Sequence, residues 1–513
     1  MGDGPRVHAW GNVRSGITPA AIRVNGPATA SPPKRWHVPA SALAKHGIHN
    51  AQLTLLQLGT RALIGFALPL LFPPRQYGEA AFGYWLLSIA ILIGSLGIPH
   101  AAQRFLPIVP SEEKAARLKG LLLLISLVLS TISATSMVLL LLARVLDRSV
   151  QPGNALAIGF AAVFGCLGST ASAILKGTRQ FRNAVRCEML GSGARLAILA
   201  AVALLPLCPL VTRLMLAECA YGFVAAVSAL HIDKWRVAYP DFRALRTVLT
   251  YVTSVAAVAI IDVGVWQRAE MFFLKRFASS EAAGIFFLAS QLSVVLIVVP
   301  AAAINSLFPS FSRMGESQSR AQLSDLYRKA VDILTPYILP LFIVGGIIGP
   351  HVIGAVYGPR YAKLTPLAPF ILLPKLAGLI SAPASTLLYA IGRQRQLLVL
   401  CAGSAVLSLV CNALMIPKLG LWGAAASVTL VQVLLSALTI RLVETRFTKP
   451  VLLTDSRLAV SLLLCWISAA AHVFWPTAAL VVVTVASVVY CLNDRTLRGT
   501  FNLTAKHVLA GWR

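Results

Sequence analysis

With 57% hydrophobic and only 12% charged residues, and a mean hydropathy of +0.76, this 513-residue chain is too apolar for a water-soluble fold. Its 45 Lys and Arg against 18 Asp and Glu leave a formal net charge of +27. A surplus of that size ordinarily suggests nucleic acid, but these cations sit in connectors between apolar runs, which excludes a basic stripe on a soluble surface.

Residues 1–50 are rich in Pro, Gly, Ala and basic residues and have no apolar core, so they read as a disordered basic cytoplasmic tail, not a cleavable signal. Arg6 occupies the position where a myristoylation motif needs Ser or Thr, which argues against lipidation. Apolar runs long enough to cross the hydrocarbon core then follow one another. They predict helices near 53–72, 79–102, 120–142, 154–175, 187–206 and 213–231. After the loop 231–246 come 249–274, 284–308, 331–356, 367–391, 397–416 and 420–440. A basic linker at 441–457 precedes two more, near 458–475 and 478–492. The expected fold class is an all-α polytopic membrane protein with about 14 transmembrane helices.

If the N-terminus lies inside, roughly 32 Lys and Arg fall in the tails and even-numbered loops against about 9 in the odd-numbered loops, as the positive-inside rule requires. That split predicts an even number of spans, with both termini in the cytoplasm. Cys166, Cys219, Cys401, Cys411 and Cys465 lie within apolar runs without ligand spacing, and the nine histidines are scattered. Neither set suggests a metal, and with no GxxxxGK[ST] loop to cradle a nucleotide no cofactor is expected.

A faint internal repeat links the halves. Glu79 to Pro107 reads acidic residue, small residues, Phe82-Gly83, an apolar run and Phe105-Leu106-Pro107; Glu281 to Pro309 repeats this with Phe286-Phe287 and Phe308-Pro309. Six helices per copy preserves orientation, giving parallel repeats about an axis along the membrane normal. The expected organisation is a tail (1–50), two six-helix lobes (51–247 and 248–442), and two additional helices with a tail (443–513).

Several residues in this order carry a resemblance: Tyr77-Gly78, Gly97 and Arg104-Phe105-Leu106-Pro107 in the first half. In the second half they are Asp262, Ala283-Gly284, the run Phe308-Pro309-Ser310-Phe311-Ser312-Arg313, and Tyr357-Gly358-Pro359-Arg360-Tyr361. Gly392-Arg393, Ile416-Pro417-Lys418-Leu419-Gly420 and Gly423-Ala424-Ala425 complete the set. The chain resembles the multidrug/oligosaccharidyl-lipid/polysaccharide exporter superfamily, and within it the bacterial polysaccharide flippases. The resemblance implies two pseudo-symmetric six-helix lobes facing across a central cavity, alternating access, and two extra C-terminal helices.

An ionised side chain at a helix centre costs about 2.5–3.5 kcal/mol on insertion scales, so it normally faces water, a partner or a substrate. Arg61 lies near mid-membrane, and Thr54, Gln57, Arg61 and Gly65 form one polar-to-small stripe on an apolar helix, which marks a cavity-lining face. Arg195, Arg268 and Lys375 lie at other depths, and Arg104 stands at a helix end. Arg268 also suits snorkelling, and Arg104 suits a topology determinant; Arg195 suits structural pairing, since the resemblance implies that helix five belongs to the outer part of its lobe. Glu218, Asp262 and Glu270 are the buried acids, with Asp262 a candidate for a coupling step.

Gln57, Arg61, Arg104, Arg195, Arg268 and Lys375 are therefore the expected substrate contacts. Fixed cations in a low-dielectric cavity suit an anionic cargo. With the resemblance, that cargo is a polyprenyl-pyrophosphate-linked oligosaccharide unit, moved across the inner membrane for exopolysaccharide, capsule or O-antigen synthesis. Expected partners are membrane lipids, a polysaccharide polymerase and a chain-length regulator, and not nucleic acid. A peptidoglycan-precursor flippase and a drug/cation antiporter of the same superfamily are the alternatives. An enzyme would need an acid/base or nucleophile constellation, and none stands out.

Overall fold

The computed structural model describes residues 56–469 apart from 57–58, 61–62, 110, 147–149, 179, 204–208, 233–244, 247, 250–251, 253–268, 306–310, 312–319, 392, 449 and 451–460. The expected N-terminal tail, the last helix, Gln57, Arg61, Asp262 and Arg268 therefore lie outside the described residues.

Every regular element among the described residues is helical. Residues 63–71 are helical and end at the Pro73-Pro74 turn. There follow α1 (Pro74–Ser95), α2 (Ile98–Phe105), α3 (Glu112–Leu142), α4 (Pro152–Gly177), α5 (Phe181–Ala203) and α6 (Leu210–Ile232). The second half holds α7 (Ala269–Phe277), α8 (Ser280–Asn305) and α9 (Arg320–Phe342). A π-helical segment, Ile343–Ile348, joins α9 to α10 (Gly349–Tyr357), and a 3-10 turn, Pro359–Leu364, leads on to α11 (Ala368–Ala390). Helices α12 (Gln394–Leu419) and α13 (Leu421–Arg446) follow, and residues 461–469 are helical. Nine stretches among the described residues are long and apolar enough to cross a membrane, so this is a multi-pass membrane protein.

Several boundaries differ from the sequence expectation; α5 begins at Phe181, ahead of the expected 187, and α13 runs on to Arg446, into the expected basic linker. The run 79–102 is two helices, because Leu96 (φ 40°) and Gly97 (φ 80°) turn left-handed and Pro99, early in α2, cannot supply the next helical N–H. Helix α3 starts at Glu112, eight residues before the apolar run: Ser111 caps it by accepting from the Lys114 N–H at 3.3 Å, and Arg117 pairs with Glu113 at 2.6 Å. The run 331–356 is likewise the apolar part of a longer span reaching back to Ala321.

Helices α1–α6 pack on one another, as do α8, α9 and α11–α13. Lipid gives no hydrophobic drive for helix association, so small residues and hydrogen bonds carry it. A Cβ on Gly168 would lie 2.9 Å from Gly222 O where α4 crosses α6. The Ser126 and Thr170 hydroxyls meet at 2.9 Å between α3 and α4, and Ser133 donates to Ala90 O of α1 at 2.8 Å. In the second group, Ser381 of α11 donates to Ser436 of α13 at 3.2 Å.

The two groups meet chiefly where α1 lies against α8. The main buried cluster runs through both: Tyr77, Phe82 and Leu86 of α1 share it with Ile285, Phe286 and Leu288 of α8, and with Tyr361 and Leu364. Toward the far ends of α1 and α8, the described cores separate. One holds Ile98, Ala102, Leu121 and Ile174 together with Val248 and Val252 from the start of the second half, and the other Ile304, Tyr327, Leu376 and Leu388. The groups are joined at the Gly78 end and have separate described cores at the opposite end.

Candidate functional site

The junction is built on two glycines at corresponding places in α1 and α8. A Cβ on Gly78 would lie 1.7 Å from Ser280 O, and one on Gly284 would lie 2.3 Å from Pro74 O. Only hydrogen side chains let these backbones come so close. Aromatic side chains seal the crossing. Tyr77 meets Phe287 edge-on at 5.6 Å, and Phe82, Trp85, Phe272 and Phe273 form a chain with successive centroids 5.5–6.1 Å apart. Lys275 lies 5.9 Å above the Phe82 ring and donates to Ser280 at 2.9 Å.

Helix 63–71 closes the same end. The would-be Cβ of Gly65, the described member of the polar-to-small stripe, sits 3.7 Å from Gln291 Nε2 of α8. That stripe therefore turns toward the second group at Gly65. Tyr77, Tyr357 and Tyr361 donate to the carbonyls of Gly65, Phe66 and Phe72 at 3.1, 3.0 and 3.4 Å. Burial pushes the Tyr361 phenol above its ordinary value, so it remains a donor through neutral pH.

A second polar cluster lies near the middle of α1, α5 and α6. Arg195 is 2% exposed, and its Nη2 lies 3.2 Å from Glu218 Oε2. Glu218 Oε1 accepts from the Tyr84 hydroxyl at 2.9 Å. The guanidinium carbon sits 4.0 Å from the Tyr221 ring centroid, and the Tyr221 hydroxyl lies 2.9 Å from both Glu188 carboxylate oxygens. Glu188 is itself buried. One cation thus serves a carboxylate and an aromatic face, tying three helices together at membrane depth.

Of the expected substrate contacts, then, Arg195 is consumed by an internal pair. Arg104 is exposed at the last turn of α2, with its guanidinium 5.8 Å from the Phe105 ring. Lys375 is half-buried in α11, immediately after Pro374. Glu270 is buried at the start of α7. Among the described residues, no cluster of three His, Cys, Asp or Glu is placed to hold a metal. The sequence singles out Arg195 and Glu218 separately but not Glu188, which sits at the polar start of its apolar run, nor Tyr84 and Tyr221, whose rings merge with a hydropathy pattern.

The family model described as a polysaccharide biosynthesis protein matches residues 69–366, more than half of the chain. The chain belongs to this family. No curated protein sequence matches it. Among solved structures, the family member is similar to a lipid II flippase, MurJ, in an inward closed conformation: TM-score 0.62, 11% identity, covering 87% of this chain and 98% of that one. It is also similar to a Vibrio cholerae MATE transporter, with TM-score 0.54 and 17% identity over 82% of this chain and 100% of the other. A third likeness is to a MOP superfamily transporter from Pyrococcus furiosus, with TM-score 0.53 and 17% identity over 79% and 95%. At these identities the likeness establishes the fold this polysaccharide-biosynthesis family member adopts. The family match bears out the polysaccharide-biosynthesis resemblance read from the sequence, and the likeness to solved structures bears out its all-helical, polytopic fold.

Proposed function

We propose that the chain is a flippase that carries polyprenyl-pyrophosphate-linked oligosaccharide units from the inner to the outer leaflet of the bacterial inner membrane by alternating access. The observation that carries this reading is the arrangement of two helix groups joined at the Gly78 end, with separate cores at the other, in a polysaccharide-biosynthesis family member. The cation split assigns the Gly78 end to the outside. In that orientation the arrangement is closed outward, ready to receive cargo built in the cytoplasm.

Arg61 and Arg268 hold the pyrophosphate, and a guanidinium fork matches phosphate oxygens better than a point charge does. Gln57 and Lys375 contribute to the same hydrated path, and Arg104 meets the headgroup at the cytoplasmic entrance. The prenyl tail stays in lipid between helices. Arg195 acts from behind, fixing α5, α6 and Tyr84 of α1 as one unit. Asp262 is the candidate coupling group. In this reading the protein performs no bond chemistry; an ion gradient or consumption of product by a polymerase with its chain-length regulator gives direction.

Deleting the gene and restoring it tests the proposal. Polysaccharide export should be lost and then regained while peptidoglycan precursors are processed normally. A block in peptidoglycan synthesis instead would move the cargo to the cell-wall precursor, and a change confined to drug resistance would favour an antiporter.

A further inference from the structure

Helix 63–71 carries a built-in defect. Pro69 has no N–H, so the Gly65 carbonyl lacks the donor expected four residues later. The carbonyls at the end of the helix, where the chain turns at Pro73-Pro74, are orphaned in the usual way. Tyr77 answers the first of these carbonyls, at Gly65, and Tyr361 one of the second set, at Phe72, while Tyr357 adds a further bond to the Phe66 carbonyl, and the three phenols come from different places. Tyr77 lies only twelve residues from its acceptor, just past the Pro73-Pro74 turn, so its bond to Gly65 can survive any relative movement of the groups. Tyr357 and Tyr361 lie 291 and 289 residues beyond their acceptors, in the second group.

The segment carrying those two phenols is set apart mechanically. It comprises α10 and the 3-10 turn, residues 349–364, with Gly358 at φ 73° between them. It leaves α9 through the π-helical segment Ile343–Ile348, which contains Gly345-Gly346 and is followed by Pro350. A π-helical insertion breaks the regular hydrogen-bond register and commonly marks a place where a helix bends for function. Tyr361, at the far end of the arm, is fully buried against the shared core. Another polar tie of the arm, Lys363 to Glu281 at 2.8 Å, joins it to α8 of its own group and is largely solvated, so it does little to hold the two groups together.

We infer that residues 349–364 form a releasable latch: Tyr357 and Tyr361 hold helix 63–71 against the second group, and the π-helical segment is the hinge on which the arm yields when the groups part. The inference rests on the alternating-access reading. The Gly78–Gly284 contact is close but carries no directional bond, whereas the phenols supply discrete bonds that water replaces at the membrane surface. Each such bond is worth about fivefold in an equilibrium, which is weak enough to release and strong enough to bias the resting state.

The test measures the distance between spin labels on cysteines replacing Val145 and Leu419 in a cysteine-free background, with the protein in lipid nanodiscs. Val145 is an exposed residue just after α3, Leu419 is the exposed last residue of α12, and both stand at the Gly78 end. Tyr357→Phe combined with Tyr361→Phe removes two hydroxyls and no packing. It should raise the ratio of the longer-distance to the shorter-distance population by about twenty-five-fold. Thr131→Ala, which removes a hydroxyl bonded within its own helix, should leave the ratio unchanged. Gly284→Ala, which forces the crossing apart, separates the two ideas. Widening there without widening in the phenylalanine pair overturns the latch alone. An unchanged distribution in all three variants overturns both the latch and the rocking reading.

Discussion

At the scale of single residues, a charge inside a membrane bundle is either a tie or a contact, and Arg195 and Arg61 illustrate the two. Arg195 is enclosed by Glu218 and the Tyr221 ring, so removing it strands a carboxylate at membrane depth. Breaking such a pair from one side costs about 3–5 kcal/mol, whereas replacing both partners by apolar groups is often nearly neutral. Arg195→Met should therefore lower the thermal unfolding temperature of the detergent-purified protein, and adding Glu218→Leu should recover most of the loss. Equal unfolding temperatures for parent and single variant would show that the pair ties nothing. For Arg61 the expectation is opposite in kind. Arg61→Ala should insert normally and abolish export, while Arg61→Lys keeps part of it because the charge survives without the fork. Normal export by the alanine variant at matched protein level would remove Arg61 from the cargo path. Both arginines were visible in the sequence as polar breaks in apolar helices. The pairing of Arg195 was not, because its partners Glu218 and Tyr221 lie on another stretch of chain, and a tyrosine in an apolar run reads as ordinary filler.

At the scale of elements, helix positions were legible because a 20-residue apolar run has few alternatives in lipid. Their ends were not. Hydropathy cannot see the polar first turns of α3, nor decide that Gly97 and Pro99 split one run into α1 and α2. Tyr77-Gly78 and Ala283-Gly284 were noted as motifs, yet nothing in one dimension says that the two glycines touch. Their contact makes a sharp prediction. Gly78→Ala places a methyl where Ser280 O lies, and a forced backbone shift of this kind costs about 1–3 kcal/mol. Gly153→Ala and Gly403→Ala, at glycines with open space around the added carbon, should be tolerated. Thermal unfolding of the three variants compares them directly, and a Gly78 variant as stable as the other two would argue against the close crossing.

At the scale of the whole molecule, the shared core at one end and the divided cores at the other turn helix packing into a directional device. Direction depends on orientation in the membrane. Reporter fusions after Arg246, Arg395 and Arg457 should report cytoplasm, and fusions after Gly78 and Gly420 the outer side; an outer C-terminal tail would refute the fourteen-helix arrangement. The central claim is that this chain moves a lipid-linked oligosaccharide between leaflets. Its most direct test exposes spheroplasts to an impermeant sugar-cleaving enzyme and measures how much polyprenyl-pyrophosphate-linked repeat unit is accessible from outside, in cells whose downstream polymerase is absent. Cells with the intact chain should expose the repeat unit, while cells lacking it or carrying Arg61→Ala should keep it protected. Equal exposure with and without the chain would contradict the account.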